Sequence, residues 1–576
     1  MAGRTIPTFS VADYVLFGLT LVASGCIGVF FAVKRRKNDT PQEVLMGGRK
    51  MPLLPTALSL LTSFISGVTL LGFPVEVYRR GALYWISHIV GAVVGVIVTL
   101  LVLPIFYHIQ PVSVYAYLEA RFSSKLLRLL AAILYLLYMI AYMGVVLYGP
   151  SIALSGVSGI HPAVFLLTVG GICIIYTTLG GLKAVVWSDS LQACFMIAGV
   201  LALFFKGSMD VGGVGTTFSI AAEHHRFEDL WNFDPNPFQY MNVWTSVFGG
   251  IGLWLSLLTF NQISFQRYMS IGNYRDAQKV VLINIPGYMI FSTLADLLGL
   301  VIFSYYLGCD PINSKQIDKA DQLVIYYALD VLGHLPGLPG IFLACIFSGT
   351  LSTFSSGINS MAAVMCDDFI SYLSMFKTAS PTKQTIVIKL VSAGFGILSI
   401  GIAFLAGPLG GILKTVFSVM GAIGGPLMGV FVAGTFFPFI RFWGALSGLI
   451  VSVIITFWIA LGNAIEKPFA SYDLPLYTNT CHLEPWNMTD YTGGNFTTPN
   501  WDGVARSSGL SYFYSLSPVF YPALGIILVL LISIPISLYE NHIKKEKLAP
   551  GLTVQDHLRN IFPCTARAEK SGMEMK

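Results

Sequence analysis

The chain has 576 residues, 55% hydrophobic and only 11% charged, where a soluble globular protein carries about 25% charged residues. That composition excludes a soluble globular domain and predicts an all-α polytopic membrane protein. The net charge of +5 comes without a basic stripe interleaved with aromatics, so no footprint for nucleic acid is present and the lipid bilayer is the partner implied.

The first apolar run, Val11 to Val33, is long enough to span a bilayer and lacks the small-residue cleavage site of a secretory signal. Lys34-Arg35-Arg36-Lys37 follows it at once, whereas only Arg4 precedes it, so the N-terminus is expected outside. Continuing along the chain, hydropathy predicts about thirteen spans. After the first they run roughly 53 to 78, 82 to 107, 126 to 156, 162 to 179, 184 to 206, 240 to 263, 279 to 307, 337 to 365, 384 to 406, 412 to 437, 442 to 463 and 518 to 540. Inner loops then hold Arg121, Lys125, Arg128, Lys183, Arg267, Arg275, Lys279, Lys377 and Lys383. An odd count places the tail 541 to 576, with Lys544, Lys545 and Lys547, inside. Residues 1 to 540 read as one transmembrane domain.

The long segment 464 to 517 falls outside on this count and carries two glycosylation acceptors, Asn487-Met488-Thr489 and Asn495-Phe496-Thr497. Cys309 and Cys481 are the cysteines of the outer loops on this count, where an oxidising compartment would permit a disulfide between them, while two free thiols remain the alternative. Cys26, Cys173, Cys194, Cys345 and Cys366 lie in or beside apolar runs, as small hydrophobes do. Segment 207 to 238, with His224-His225, reads as a loop or short interfacial helix without metal-ligand spacing. Nucleophile-elbow, Walker and zinc-protease motifs are all missing, so the chain is not expected to be an enzyme.

Three places carry chemistry. The second span, Leu53 to Tyr78, is interrupted by Gly67 and Gly72 and closes with Pro74, with Thr62, Ile65, Ser66 and Thr69 on one side. It looks like a broken helix, whose unwound carbonyls can face a cation without facing lipid. Five spans later, 240 to 263 carries Gly249-Gly250 and Gly252, the position of a counterpart in an inverted repeat of five plus five; the same glycines equally suit a closely packed helix. In the segment from Pro339 to Asp367-Asp368, about 100° per residue places Gly349, Ser352, Thr353, Ser356, Asn359 and Ser360 within an arc of roughly 120°. This hydroxyl face suits interhelical hydrogen bonds or the oxygen ligands of a hard cation. Asp189 opens a span, where a carboxylate in the bilayer costs about 2.5 to 3.5 kcal/mol and commonly marks an ion path; near the interface it would be solvated instead. Asp296 and His88 lie deeper, with packed, hydrogen-bonded roles as the expectation, and no Arg or Lys is expected at the midplane.

The run Gly180-Gly181-Leu182-Lys183-Ala184-Val185-Val186-Trp187-Ser188-Asp189-Ser190-Leu191-Gln192, the pair Asn261-Gln262 with Gln266-Arg267-Tyr268, and the cluster from Ser352 to Asn359 resemble the sodium/solute symporter family, over nearly the whole chain from Val11 to about Leu552. Ser63 to Pro74 and Phe347 to Thr353 look like its monocarboxylate, multivitamin and iodide branch. The resemblance implies the leucine-transporter fold, its inverted-repeat core spanning about 53 to 206 and 240 to 437. It implies a principal sodium site of carbonyls from Thr62, Ile65 and Gly349 with hydroxyls of Ser352 and Thr353, and a second position at Ser66, Asp189, Ser355 and Ser356. Substrate would lie against Phe64, Thr69, Tyr142, Trp254 and Phe417. The polar sugar ligands of sugar-transporting relatives are absent from the second span, and Thr69 stands where iodide symporters have Gln and monocarboxylate carriers have Thr. Thr62 departs from the usual Ala.

The expectation is a multi-pass plasma-membrane symporter that uses Na+ as the co-transported ion to import small organic anions: monocarboxylates such as lactate, pyruvate, butyrate and nicotinate, or vitamins such as biotin and pantothenate. The alternatives are symport of an iodide-like inorganic anion, or a sodium-permeable channel or substrate sensor on the same fold.

Overall fold

The computed structural model describes residues 8–35, 40–405, 412–466, 468, 473–478, 481, 509–543 and 551–561. Its apolar runs are helical because each backbone N–H and C=O in hydrocarbon must find a partner within its own segment. The long elements, in chain order, are α1 Val11–Arg35, α2 Leu53–Phe64, α3 Gly67–Arg80, α4 Tyr84–Ile109, α5 Lys125–Ser158, α6 Pro162–Asp210, α7 Val243–Trp254, α8 Gln262–Ser270, α9 Tyr274–Tyr305, α10 Leu338–Val364, α11 Pro381–Leu405, α12 Ile412–Val419, α13 Gly425–Phe436, α14 Phe442–Glu466 and α15 Tyr521–Ile543. Among the described residues nine helices are long and apolar enough to cross a bilayer, or up to eleven when the bent pairs α2 with α3 and α7 with α8 each count as one span. The chain is an all-helical polytopic membrane protein.

The spans expected at 162 to 179 and 184 to 206 are fused in α6. At 1.5 Å per residue its 49 residues would reach about 73 Å, more than twice a hydrocarbon core about 30 Å thick. Gly181, at φ 62 and ψ −161, divides the run in a region of backbone space that is essentially restricted to glycine.

The second broken helix also differs from expectation. Gly249, Gly250 and Gly252 lie in regular helix α7, and the chain breaks beyond them, at Phe260 and Asn261, with a bend of 43° between Val243–Thr259 and α8. The glycines serve close packing. A Cβ on Gly249 would come within 2.2 Å of the Val519 carbonyl oxygen, one on Gly250 within 2.5 Å of that of Ser87, and one on Gly252 within 2.7 Å of the Ala523 nitrogen.

Helix α10 is the axis of the bundle. Its most apolar window is 94% buried, against 28% for those of α1 and α11, which places the first at the centre and the other two at the periphery. Asp13 at the start of α1 fixes that peripheral helix to the axis: its Oδ1 accepts from the backbone nitrogens of Gly337 at 3.1 Å and Gly340 at 2.9 Å. A carboxylate there satisfies two of the N–H groups that a helix start leaves unpaired, and it complements the helix dipole.

At one end of the bundle, segment 473–478 lies across the end of α3. Leu474 donates its backbone N–H to the Arg79 carbonyl at 2.8 Å, and Asp473 pairs with Arg79 and, at 3.3 Å, with Arg80. Arg226 donates to the carbonyls of Tyr78 and Pro475 at 2.9 and 2.7 Å. Cys309 and Cys481 are joined as a disulfide. Asn487 and Asn495 lie outside the described residues. In segment 207 to 238 a helix forms at Val214–Glu223, and burial lowers the affinity of His224 for a proton. Among the described residues no group of three or more His, Cys, Asp or Glu side chains could hold a metal ion.

The glycine-only conformation at Gly181 yields a test. Gly181→Ala should destabilise the purified protein by about 1–3 kcal/mol in thermal unfolding, whereas Gly171→Ala, on the same element with nothing within 4 Å of its Cβ position, should not. Equal melting of the two variants would contradict the assigned kink.

Candidate functional site: an unwound helix facing a hydroxyl stripe

The break in the second span falls at Ile65 (φ −91, ψ 86) and Ser66 (φ −90, ψ 172), and it bends α2 from α3 by 52°. Ser66 Oγ accepts from the Thr69 N–H and Thr69 Oγ1 accepts from the Ser66 N–H, both at 3.3 Å. This reciprocal cap satisfies donors at the start of α3. The opposite polarity is left over, because carbonyls of the last turn of α2 lose the donors that a continuous helix would supply.

Helix α10 supplies them. Ser352 Oγ donates to the Thr62 carbonyl at 2.8 Å, and Thr353 Oγ1 donates to that of Ser63 at 3.1 Å. Ser352 Oγ also lies 3.0 Å from the Gly349 carbonyl oxygen. The approach is close: a Cβ on Gly349 would lie 3.0 Å from the Ile65 carbonyl oxygen and 3.1 Å from the Gly67 nitrogen, so the facing backbone would have to give by a few tenths of an ångström. Thr62, Ile65, Gly349, Ser352 and Thr353 are therefore brought together, all buried. The Ser63 carbonyl, which the sequence-based set omits, joins them; reading Thr353 one residue beyond Ser352 against a broken helix would have found it. The donor set is oxygen only, as hard cations prefer. Each hydroxyl needs only to rotate about its C–O bond to offer a lone pair in place of a hydrogen.

The rest of the predicted face is divided among neighbours. Ser356 Oγ lies 3.0 Å from Ser63 Oγ, Asn359 donates to Gln266 Oε1 at 3.4 Å, and Ser360 Oγ accepts from the Tyr135 hydroxyl at 2.7 Å. Interhelical hydrogen bonding and a cluster of carbonyl and hydroxyl oxygens thus share one face.

The second set is arranged differently from expectation. Asp189 is fully buried, and its Oδ2 accepts from Ser59 Oγ at 2.5 Å and from the Arg267 guanidinium at 3.0 Å. Arg267 also donates to Ser59 Oγ at 2.9 Å and to Ser356 Oγ at 2.5 Å. The expectation that Arg267 lies in a loop is corrected: it is 1% exposed on α8, a helix whose nine residues are all buried. The break at Asn261, whose side chain caps α8 by accepting from Ile263 N–H at 2.8 Å, turns the chain back into the bundle. Arg267 thus links Asp189 to Ser356. Ser66 is engaged in capping α3, and Ser355 Oγ donates to the Ser352 carbonyl at 3.1 Å. Asp189 Oδ1 has no hydrogen-bond partner among the described residues.

Four of the five predicted substrate contacts have described side chains. Phe64 ends α2, Thr69 lies in the first turn of α3, and Tyr142 of α5 reaches Ser66 at the break. Trp254 ends α7 and meets the Tyr288 ring edge-on with centroids 4.1 Å apart. Tyr288, on α9, was not singled out from the sequence. Phe417 falls in α12, which packs on α3 and α5; its side chain is outside the described residues.

Residues 45–452 match the family model of the sodium:solute symporter family. Sodium-coupled monocarboxylate transporter 1 of Homo sapiens is 39% identical over 567 residues, covering 97% of this chain and 92% of its own. The sodium-dependent multivitamin transporter of Oryctolagus cuniculus is 37% identical over 535 residues, covering 92% and 82%. A solved structure of a Na+-coupled sialic acid symporter, substrate-bound and outward-open, superposes with a TM-score of 0.73 at 22% identity, covering 92% of this chain and 98% of its own. At that identity the likeness is one of fold.

Breaking a buried ion pair from one side leaves an uncompensated charge and costs about 3–5 kcal/mol. Arg267→Gln should therefore lower the melting temperature sharply, and adding Asp189→Asn should recover part of the loss. A double variant no more stable than the single would show that the two side chains are not coupled.

Proposed function

The chain belongs to the sodium:solute symporter family, and from that premise we propose that it imports small organic anions together with sodium across the plasma membrane. Membership implies a multi-pass transporter that is not an enzyme and takes Na+ as co-transported cargo. The proposed solutes are monocarboxylates such as lactate, pyruvate, butyrate and nicotinate, or vitamins such as biotin and pantothenate. Relatives named for monocarboxylates and for vitamins, at 39% and 37% identity, support this class, as does Thr69 at the break.

One observation carries the reading: two adjacent hydroxyls of α10 lie on two adjacent carbonyls that the break in α2 leaves without helical donors. A sodium ion entering there takes oxygens from Thr62, Ile65, Gly349, Ser352 and Thr353. A second sodium at Asp189, with Ser66, Ser355 and Ser356, requires Arg267 to withdraw from Ser356, and the unpartnered Oδ1 of Asp189 supports such an exchange. The anion lies against Phe64, Thr69, Tyr142, Trp254 and Phe417, with bound sodium and helix-start N–H groups providing the positive field.

The division of α6 at Gly181 and the short apolar helix Met420–Phe436 support thirteen spans in place of eleven. With the N-terminus outside, residues 464 to 517 form the extracellular glycosylated loop and 541 to 576 the cytoplasmic tail. The two bent pairs, in the second and seventh of those spans, support an inverted repeat of five plus five in the leucine-transporter manner.

Stoichiometry governs concentrating power. Each sodium supplies about 1.4 kcal/mol from a tenfold gradient and about 1.4 more from roughly 60 mV, and one anion costs about 1.4 on entering a negative cell. Two sodium ions would leave about 4 kcal/mol, near thousandfold accumulation, and one would leave about tenfold.

Labelled pyruvate, nicotinate and biotin, offered to cells expressing the full chain with sodium or with choline, test the proposal. At least one should accumulate above its external concentration in sodium alone. Ser352→Ala with Thr353→Ala should abolish that uptake while the protein still reaches the surface. Near-normal uptake by the double variant would sink the site, and substrate-evoked current without accumulation would favour a channel or sensor.

A further inference from the structure

His88 on α4 and Asp296 on α9 face each other inside the bundle at 1% and 4% exposure. His88 Nε2 and Asp296 Oδ2 are 3.8 Å apart, beyond hydrogen-bond length. Neither imidazole nitrogen and neither carboxylate oxygen has a hydrogen-bond partner among the described residues, contrary to the hydrogen-bonded roles expected of them. The surroundings are aromatic. Phe73 of α3 lies 4.3 Å from the His88 ring, Tyr84 4.4 Å and Tyr288 6.1 Å between centroids. Gly91, one turn past His88, receives the Cδ1 edge of Trp254, whose Nε1 also has no partner among the described residues.

The other ionisable groups facing the pair do not balance it. Tyr84 and Tyr288 are within electrostatic reach of Asp296; Tyr84 also senses Glu76 and Tyr240, and Tyr288 senses Tyr142; tyrosines are neutral below about pH 10. From α3, Glu76 is paired with Arg80 at 2.7 Å. The four protonation states of the pair therefore fall into three net charges: with no added proton it carries −1, with one, on either group, it is neutral, and with two it carries +1. Desolvation penalises net charge steeply.

We infer that His88 and Asp296 form an intramembrane proton-binding site that holds one proton whenever α3 packs over it as it does here. Wetting the pair reverses the preference, because in water His titrates near 6.5 and Asp near 3.9. Any movement that lifts Phe73 off His88 and admits water then releases the proton above about pH 6.5, so a proton is exchanged with each uncovering by the second half of the broken helix. The inference holds whichever solute the chain carries.

Urea unfolding of the full-length protein in dodecyl maltoside, followed between pH 5 and 8, tests it through differences between variants, which cancel the other titrating groups. The wild-type pair holds one proton when packed, and when unfolded it holds one below about pH 6.5 and none above. Asp296→Asn removes the need for a proton in the packed state but leaves His88 to gain one on unfolding at low pH. The ratio of wild-type to Asp296→Asn unfolding constants should therefore rise about tenfold per pH unit across the range. In His88→Gln the carboxyl alone must hold the proton. Its unfolding constant relative to wild type should rise about tenfold per unit below about pH 6.5 and then level off. Ratios independent of pH would overturn the inference, and if one variant does not fold, the other decides alone.

Discussion

A helix interrupted in hydrocarbon must place its stranded carbonyls against donors, and the packing at Ile65 and Ser66 meets that demand. The reciprocal cap between Ser66 and Thr69 satisfies N–H groups at the break and leaves oxygens in surplus. Each unpartnered polar group there would cost several kcal/mol, so α10 has to approach closely enough for Ser352 and Thr353 to reach them. Gly67 and Gly349 ease that approach, since a Cβ on Gly67 would lie 2.4 Å from Thr350 Oγ1 and one on Gly349 would press on the backbone at Ile65 and Gly67. The central position of α10 follows from the same need. A helix with hydroxyls on one face and apolar residues elsewhere is stable in a membrane only when other helices surround it.

The charges nearby obey the same rule. Asp189, Arg267, Ser59 and Ser356 form one network in which the guanidinium donates to two hydroxyls and a carboxylate. Ser356 in turn meets Ser63, whose carbonyl accepts from Thr353. The oxygen cluster and the buried ion pair are therefore parts of a single hydrogen-bonded chain linking α2, α6, α8 and α10. At the proposed site, a cation arriving at one end would perturb hydroxyls shared with the other, a physical route to the segment beyond the second break. His88 and Asp296 stand outside this network, enclosed by aromatic rings, and that isolation is why a proton is the natural charge-balancing partner for them.

Legibility varied with the range of the interaction. Most of the spans, a break in the second one and the hydroxyl face of α10 were readable because they depend on hydropathy and on periodicity within about twenty residues. The break was expected at Gly67 and Gly72 and falls at Ile65 and Ser66, with Gly72 inside regular helix. The bond between Cys309 and Cys481 was open from the sequence, where hydropathy put both cysteines in loops of one side but nothing local required them to meet. Arg267 was not. A cation near the end of an apolar run resembles a loop residue unless Asn261 is recognised as a cap that starts a new buried helix. Gly249, Gly250 and Gly252 suggested a break, yet they are contact points for α4 and for the segment Val519–Ala523, and glycine composition alone does not distinguish unwinding from close packing.

By itself the sequence determined that the chain spans a membrane many times, that one helix unwinds near Ser66 and that a row of hydroxyls awaits oxygens or a cation, because each follows from local hydrophobicity and helical phase. Only the tertiary structure decided which carbonyls those hydroxyls meet, that Asp189 is balanced by Arg267, and that His88 faces Asp296 across α4 and α9. The partners in each case lie roughly eighty to three hundred residues apart. No local pattern encodes such a pairing, since it arises from how whole helices pack once their apolar faces have been buried.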